Sequence, residues 1–147
     1  MKDQRGGGGK EAGGNRSQST PTTDTRARRR LGASGERLAA SWLEARGYRI
    51  LGCNWRCAYG ELDVIAEDAG ELVFVEVKTR RGAAMGLPEE AITPSKRQHL
   101  VAAAQTYLEA AGTPERAFRI DVVAVQLAPG GKLLEVRHYE RAIGTDD

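Results

Sequence analysis

Two strings on either side of a tight turn constrain this chain most: Gly60-Glu61-Leu62-Asp63-Val64-Ile65-Ala66 and Phe74-Val75-Glu76-Val77-Lys78-Thr79-Arg80, with Asp68-Ala69-Gly70 between them. Both read as β-strands, and together they read as a hairpin. Side chains alternate along a strand, so Glu61, Asp63 and Ile65 are expected on one face. By the same rule Phe74, Glu76 and Lys78 share a face, with Val73, Val75 and Val77 opposite. Carboxylates and an ammonium inside a run of Val and Phe are costly to bury unless they are paired or hold a metal. The hairpin is therefore both the centre of a fold and the candidate for a site.

The elements around it follow from periodicity and punctuation. Ser34 reads as an N-cap, Leu38, Trp42 and Leu43 fall at helical spacing up to Arg46, and Gly47 closes the helix. Residues 48–56 read as a first strand, 61–67 as a second and 71–78 as a third. Thr93 is expected to cap a second helix, with Pro94 in its first turn; it runs to about Ala111, and Gly112 stops it. Val-rich residues 118–127 form a fourth strand, and Pro129-Gly130-Gly131 turns into a fifth over 132–139. The order α-β-β-β-α-β-β predicts an α/β domain with a mixed central sheet flanked by two helices. The helix between the third and fourth strands suits a right-handed parallel crossover, with those two apolar strands central.

Length and composition bound the rest. The 147 residues fit one domain and a tail. Residues 1–30 are rich in Gly, Ser, Thr and Arg and carry eight basic against three acidic side chains, whereas 31–147 carry fourteen against seventeen. The first segment cannot bury enough apolar surface to offset chain entropy and is expected to be a disordered basic tail, with the domain beginning at Leu31. A basic tail on a mildly acidic body fits a polyanionic partner such as nucleic acid, although a solvated leader with little role is an equal reading. No apolar run reaches the length of a membrane span and no secretory signal is visible, so no membrane partner and a cytoplasmic location are expected. Cys53 and Cys57 lack the further ligands of a zinc site and read as reduced thiols.

The chemistry that the hairpin supports is metal-assisted hydrolysis. Asp63 and Glu76 can hold one divalent cation between them, and hard cations such as Mg²⁺ or Mn²⁺ prefer oxygen ligands. The Val77 carbonyl points near the same edge and is a further candidate ligand. Lys78 would orient water or stabilise charge on a phosphate, and a phosphodiester is the natural target. Glu36 sits on the first helix one face with Ala39, Ala40 and Leu43, so it is expected to point toward the sheet. Glu61 is a secondary candidate beside Asp63. Arg80, Arg81, Lys96 and Arg97 form a cationic group near the acids and are candidate phosphate contacts. Asp121, set among Val122 and Val123, reads as a structural partner of Arg119 or another Arg. Trp42 and Trp55 read as core rather than as base-stacking platforms.

The residues Gly35-Glu36, Tyr48, Asn54, Gly60-Glu61-x-Asp63-x-Ile65-Ala66, Phe74-Val75-Glu76-Val77-Lys78-Thr79-Arg80 and Arg119-x-Asp121-Val122-Val123 carry a resemblance. Over residues 32–143 the chain resembles the YraN family of small bacterial proteins, which is similar to the PD-(D/E)XK nuclease superfamily and its Holliday-junction resolvases. The resemblance implies a restriction-endonuclease-like αβββαβ core. It aligns Asp63 with the first acid of the motif, Glu76 and Lys78 with the Glu-x-Lys half, and Glu36 with the helix-borne acid of resolvase-like members. Leu62 stands where a Pro often precedes the first acid. The implied activity is Mg²⁺- or Mn²⁺-dependent nuclease action on DNA. The alternatives are a non-catalytic nucleic-acid-binding protein of the same fold, or an interaction partner in DNA uptake or recombination. A homodimer is a further expectation by analogy with resolvases, without an apolar stripe in the sequence that marks its interface.

Overall fold

A computed structural model of the chain describes the backbone of residues 23–82 and 92–143, and side chains from residue 32 onward within those ranges. Of the expected tail over 1–30, residues 1–22 lie outside the described residues and 23–30 are helical; residues 83–91, ahead of the second helix, and 144–147 also lie outside them. The elements are α1 (Thr23–Ala45), β1 (Arg49–Cys57), β2 (Gly60–Asp68), β3 (Glu71–Arg81), α2 (Pro94–Ala110), β4 (Phe118–Leu127) and β5 (Leu133–Ile143). The five strands form one sheet in the order β1-β2-β3-β4-β5. Every neighbouring pair is antiparallel except β3 and β4, which run parallel because α2 lies between them in the chain.

The sheet has a cluster of buried side chains on each face. Ala39 and Leu43 of α1 pack with Val64, Ala66, Val73, Val75, Val77, Val123 and Val125 on one face. Leu100, Ala103, Ala104 and Leu108 of α2 pack with Leu62, Ile65, Leu72, Phe74 and Ile120 on the other. In β3 every residue from Leu72 to Val77 is buried, as a central strand covered on both sides requires. Full burial contributes roughly 1.5–3 kcal/mol for each large apolar side chain of this kind. Trp42 packs against the α1-side cluster and Trp55 against the α2-side cluster, so both serve the interior.

The expected elements are present, and their ends differ in instructive ways. The Thr93 hydroxyl accepts the Lys96 N–H at 3.1 Å with Pro94 in the first turn, as the sequence predicts for α2. Ser34 does not cap α1: the helix begins at Thr23 and Ser34 lies inside it. β3 runs on to Arg81 because parallel pairing with β4 continues as far as Arg81↔Leu127. β5 runs on to Ile143, past Arg141 in a positive-φ conformation (φ 53°). A register shift over Ile120/Val122 accompanies that extension.

Candidate functional site

The site forms where β2 and β3 part. Their ladder runs from Asp68↔Glu71 to Val64↔Val75. At Asp63 a side chain takes over from the backbone: the Val77 N–H donates to Asp63 Oδ2 at 2.8 Å. Strict alternation also breaks here. Leu62 and Ile65, three residues apart, both join the α2-side cluster, while Val64 and Ala66 join the α1-side one. The expectation that Ile65 shares a face with Glu61 and Asp63 is therefore corrected, and the departure of β2 from its partner is the physical reason.

That departure brings Asp63 and Glu61 to α1. One carboxylate oxygen each from Glu36, Glu61 and Asp63 lie within 4.8 Å of one another. Glu36 reaches them because α1 crosses the end of β3 at unusually close range. A Cβ on Gly35 would sit 1.8 Å from Thr79 Oγ1, so only glycine permits this approach. The Asn54 amide then fixes Glu36, donating from Nδ2 to Oε1 at 2.6 Å. Asn54 itself sits at φ 53°, a conformation that Asn tolerates better than most residues. Glu61 also has an exposed partner, with Arg56 Nε 3.4 Å from its Oε2.

Glu76 belongs to the same strand gap but looks toward α2. It is 4% exposed, and its Oε2 lies 3.4 Å from Lys78 Nζ and 3.4 Å from Lys96 Nζ. Among the described residues its Oε1 is buried without a hydrogen-bond partner. Glu76 is thus not one of the three acids gathered within 4.8 Å, and it reaches Asp63 through its charge rather than as a neighbour on one hairpin face. The electrostatic consequence falls on Asp63, whose carboxyl is pushed up to about 8. Burial is the main cause, the Glu76 charge comes next, and Glu36 and Glu61 add to it; the Val77 N–H opposes them without prevailing.

The cationic group divides. Arg80 is exposed and turns to the Thr79 carbonyl at 3.2 Å, and Arg81 reaches the Pro129 carbonyl at 3.5 Å. Arg97 is exposed on the first turn of α2, whereas Lys96 is drawn in against Glu76. Asp121 is remote from the acids in its bonding: Arg119 donates to it from Nε at 3.1 Å, His138 Nε2 lies 2.7 Å away, and the Arg141 N–H donates at 2.9 Å. It is a structural partner of Arg119, as the sequence predicts. Cys53 and Cys57 are free thiols. Among the described residues no helix is long and apolar enough to cross a membrane.

Three contributors escaped the sequence reading: Gly35, Thr79 and Asn54. All three stand in the quoted pattern, but their role depends on how closely a helix crosses a strand end, and no local signal carries that distance.

An αβββαβ core around a mixed sheet, with acids gathered where the central strands part, defines a restriction-endonuclease-like α/β protein. Residues 35–125 match the group described as "Uncharacterised protein family UPF0102", and the chain belongs to that family. It is 44% identical over 117 residues to a UPF0102 protein of Roseiflexus castenholzii, covering 79% of this chain and 94% of the relative. Its identity to one of Symbiobacterium thermophilum is 50% over 105 residues, covering 71% and 89%. To one of Nocardia farcinica it is 51% over 100 residues, covering 68% and 79%.

Proposed function

We propose that this protein is a divalent-cation-dependent phosphodiesterase acting on DNA, with Asp63, Glu76 and Glu36 as the acids that hold the cation and Glu61 beside them. The observation that carries this reading is the Glu76 Oε1, buried and without a partner among the described residues, together with the Asp63 carboxyl that burial and the Glu76 charge raise to about 8. A buried carboxylate oxygen without a donor costs about 1–3 kcal/mol or more, and a hard cation is the partner that would remove that cost. The donor set fits Mg²⁺ or Mn²⁺: carboxylate oxygens, with neither His nor Cys among them. A strand residue projects its N–H and C=O toward the same neighbour, so the Val77 carbonyl faces the gap that its N–H enters and is a further oxygen for the cation.

When bound, such a cation supplies charge stabilisation on a phosphate oxygen and makes water more acidic. The remaining work falls to side chains. Lys78 holds a positive charge beside Glu76, placed to meet charge that develops on the phosphate. Asn54 keeps Glu36 oriented. Arg80 and Arg97, exposed near the ends of β3 and α2, supply sequence-independent attraction to the backbone, with Arg81 beside them. The basic side chains of residues 1–30 would add to that attraction.

The test is incubation with branched, single-stranded and duplex DNA in Mg²⁺ or Mn²⁺. Cleavage that disappears in Asp63→Ala and Glu76→Ala supports the enzyme. The exposed cations favour a second reading, a binding protein without hydrolysis. Salt-sensitive DNA binding that persists in every variant, with no product formed, would establish that reading instead.

A further inference from the structure

Lys96 and Arg97 are adjacent cations at the start of α2, yet they face different ways. Arg97 is exposed, whereas the Lys96 ammonium lies 3.4 Å from Glu76 Oε2. Its backbone is fixed by the Thr93 cap, which receives the Lys96 N–H. The same Glu76 oxygen is 3.4 Å from Lys78 Nζ. One carboxylate oxygen is thus served twice while the other, Oε1, is served by no group among the described residues. The two lysines also differ in attachment. Lys78 is on β3, two residues from Glu76, and its side chain is 21% exposed. Lys96 comes from a separate element and its side chain is 41% exposed, so its ammonium can return to water by rotating its stem while β3 stays in place.

We propose that Lys96 is an exchangeable counter-ion: it neutralises Glu76 in the cation-free protein, leaves that carboxylate when a divalent cation binds at the other oxygen, Oε1, and then offers its ammonium to the arriving phosphate. The proposal rests on the metal-dependent reading above and adds a coupling to it. An ammonium and a divalent cation on one carboxylate repel each other, so the cation binds against a resident competitor. Released at the first turn of α2, beside exposed Arg97, the ammonium joins the cations available to a phosphate. Cation binding and phosphate binding must then strengthen each other, because linkage is reciprocal.

Mn²⁺ titrations of the full chain, followed by the electron paramagnetic resonance of free Mn²⁺, test the exchange. The set is wild type, Lys96→Met, Lys96→Arg and Glu76→Gln at one ionic strength. Lys96→Met, which removes the competitor, is expected to bind Mn²⁺ about tenfold more tightly than wild type, while Lys96→Arg keeps the charge and stays near wild type. Fluorescence anisotropy of a labelled duplex with and without Ca²⁺ tests the coupling. The gain in duplex affinity on adding Ca²⁺ should be present in wild type and lost in Lys96→Met. Unchanged or weaker Mn²⁺ binding in Lys96→Met, or an undiminished Ca²⁺ gain, overturns the proposal and returns Lys96 to an ordinary ion pair. Equal Mn²⁺ binding by wild type and Glu76→Gln has a separate meaning: it removes the metal-dependent reading itself, and the exchange with it.

Discussion

Two clusters of charged side chains sit on the same sheet, and they resolve burial in opposite ways. At the Arg119 cluster the buried charges are paired and hydrogen-bonded. Asp121 is fully buried, and burial alone would raise its carboxyl, but bonds from His138, the Arg141 N–H and Arg119 hold it below the usual range. Arg119 in turn donates to Glu71 at 2.7 Å, to the Tyr48 hydroxyl at 2.7 Å and to Asp68 at 3.3 Å. At the Asp63 cluster, burial acts on a group whose neighbours are mainly acids, and one backbone N–H does not compensate. The difference teaches where to look for function. A satisfied network fixes the fold, whereas an excess of buried acid marks a candidate site at which to test for a cation.

The largest effect should come from breaking the paired cluster. Arg119→Ala leaves Asp121 buried without its main charge partner and is expected to cost about 3–5 kcal/mol in urea unfolding. The pH dependence has a definite sign. Asp121 is depressed on folding, so its contribution is present above the usual Asp pKa of 3.8 and disappears as pH falls through the lower folded value. Acid unfolding of wild type should therefore begin near that range, and Asp121→Asn should flatten it.

The acid cluster should show the reverse. Asp63 rises on folding from 3.8 to about 8, so the stability it contributes is complete below pH 3.8 and is lost as pH rises through 8. In the presence of chelator, Asp63→Asn is expected to be more stable than wild type at pH 9, by about 2 kcal/mol, and no more stable at pH 4. Denaturation curves at the two pH values measure this. A variant that is destabilised at both would show that Asp63 is an ordinary structural acid.

Gly35→Ala probes the approach of α1 to β3. The added methyl meets Thr79 and is expected to cost about 1–3 kcal/mol and to weaken cation binding, while the Arg119 cluster keeps its bonds. The smallest effect belongs to Asn54→Gly, which permits the positive φ and removes only the amide. About 1 kcal/mol or less of stability and a few-fold loss of cation affinity are expected, measured by denaturation and by Mn²⁺ titration.

The legible part of this molecule is the part written in local pattern. The ends of β4, Phe118 and Leu127, are those that its Val-rich run predicts, and Thr93-Pro94 marks the start of α2. Asp63, Glu76 and Lys78 stand out because charge interrupts an apolar strand. The start of α1 at Thr23 was hidden because the Arg-rich residues ahead of Leu31 carry no apolar periodicity. The break in β2 was hidden because Leu62, Val64 and Ile65 are all apolar and suit either face. Glu61 read as secondary because its role depends on the tertiary approach of Glu36, which Gly35 and Thr79 set.

A crystal of the protein grown or soaked with Mn²⁺, with data collected for the anomalous signal of that ion, addresses the acid cluster directly. The account predicts an anomalous peak in contact with the Asp63 and Glu76 carboxylates, and its disappearance in Glu76→Gln. A fully hydrated Mn²⁺ elsewhere, with Glu76 Oε1 still buried and the acids uncoordinated, would contradict it.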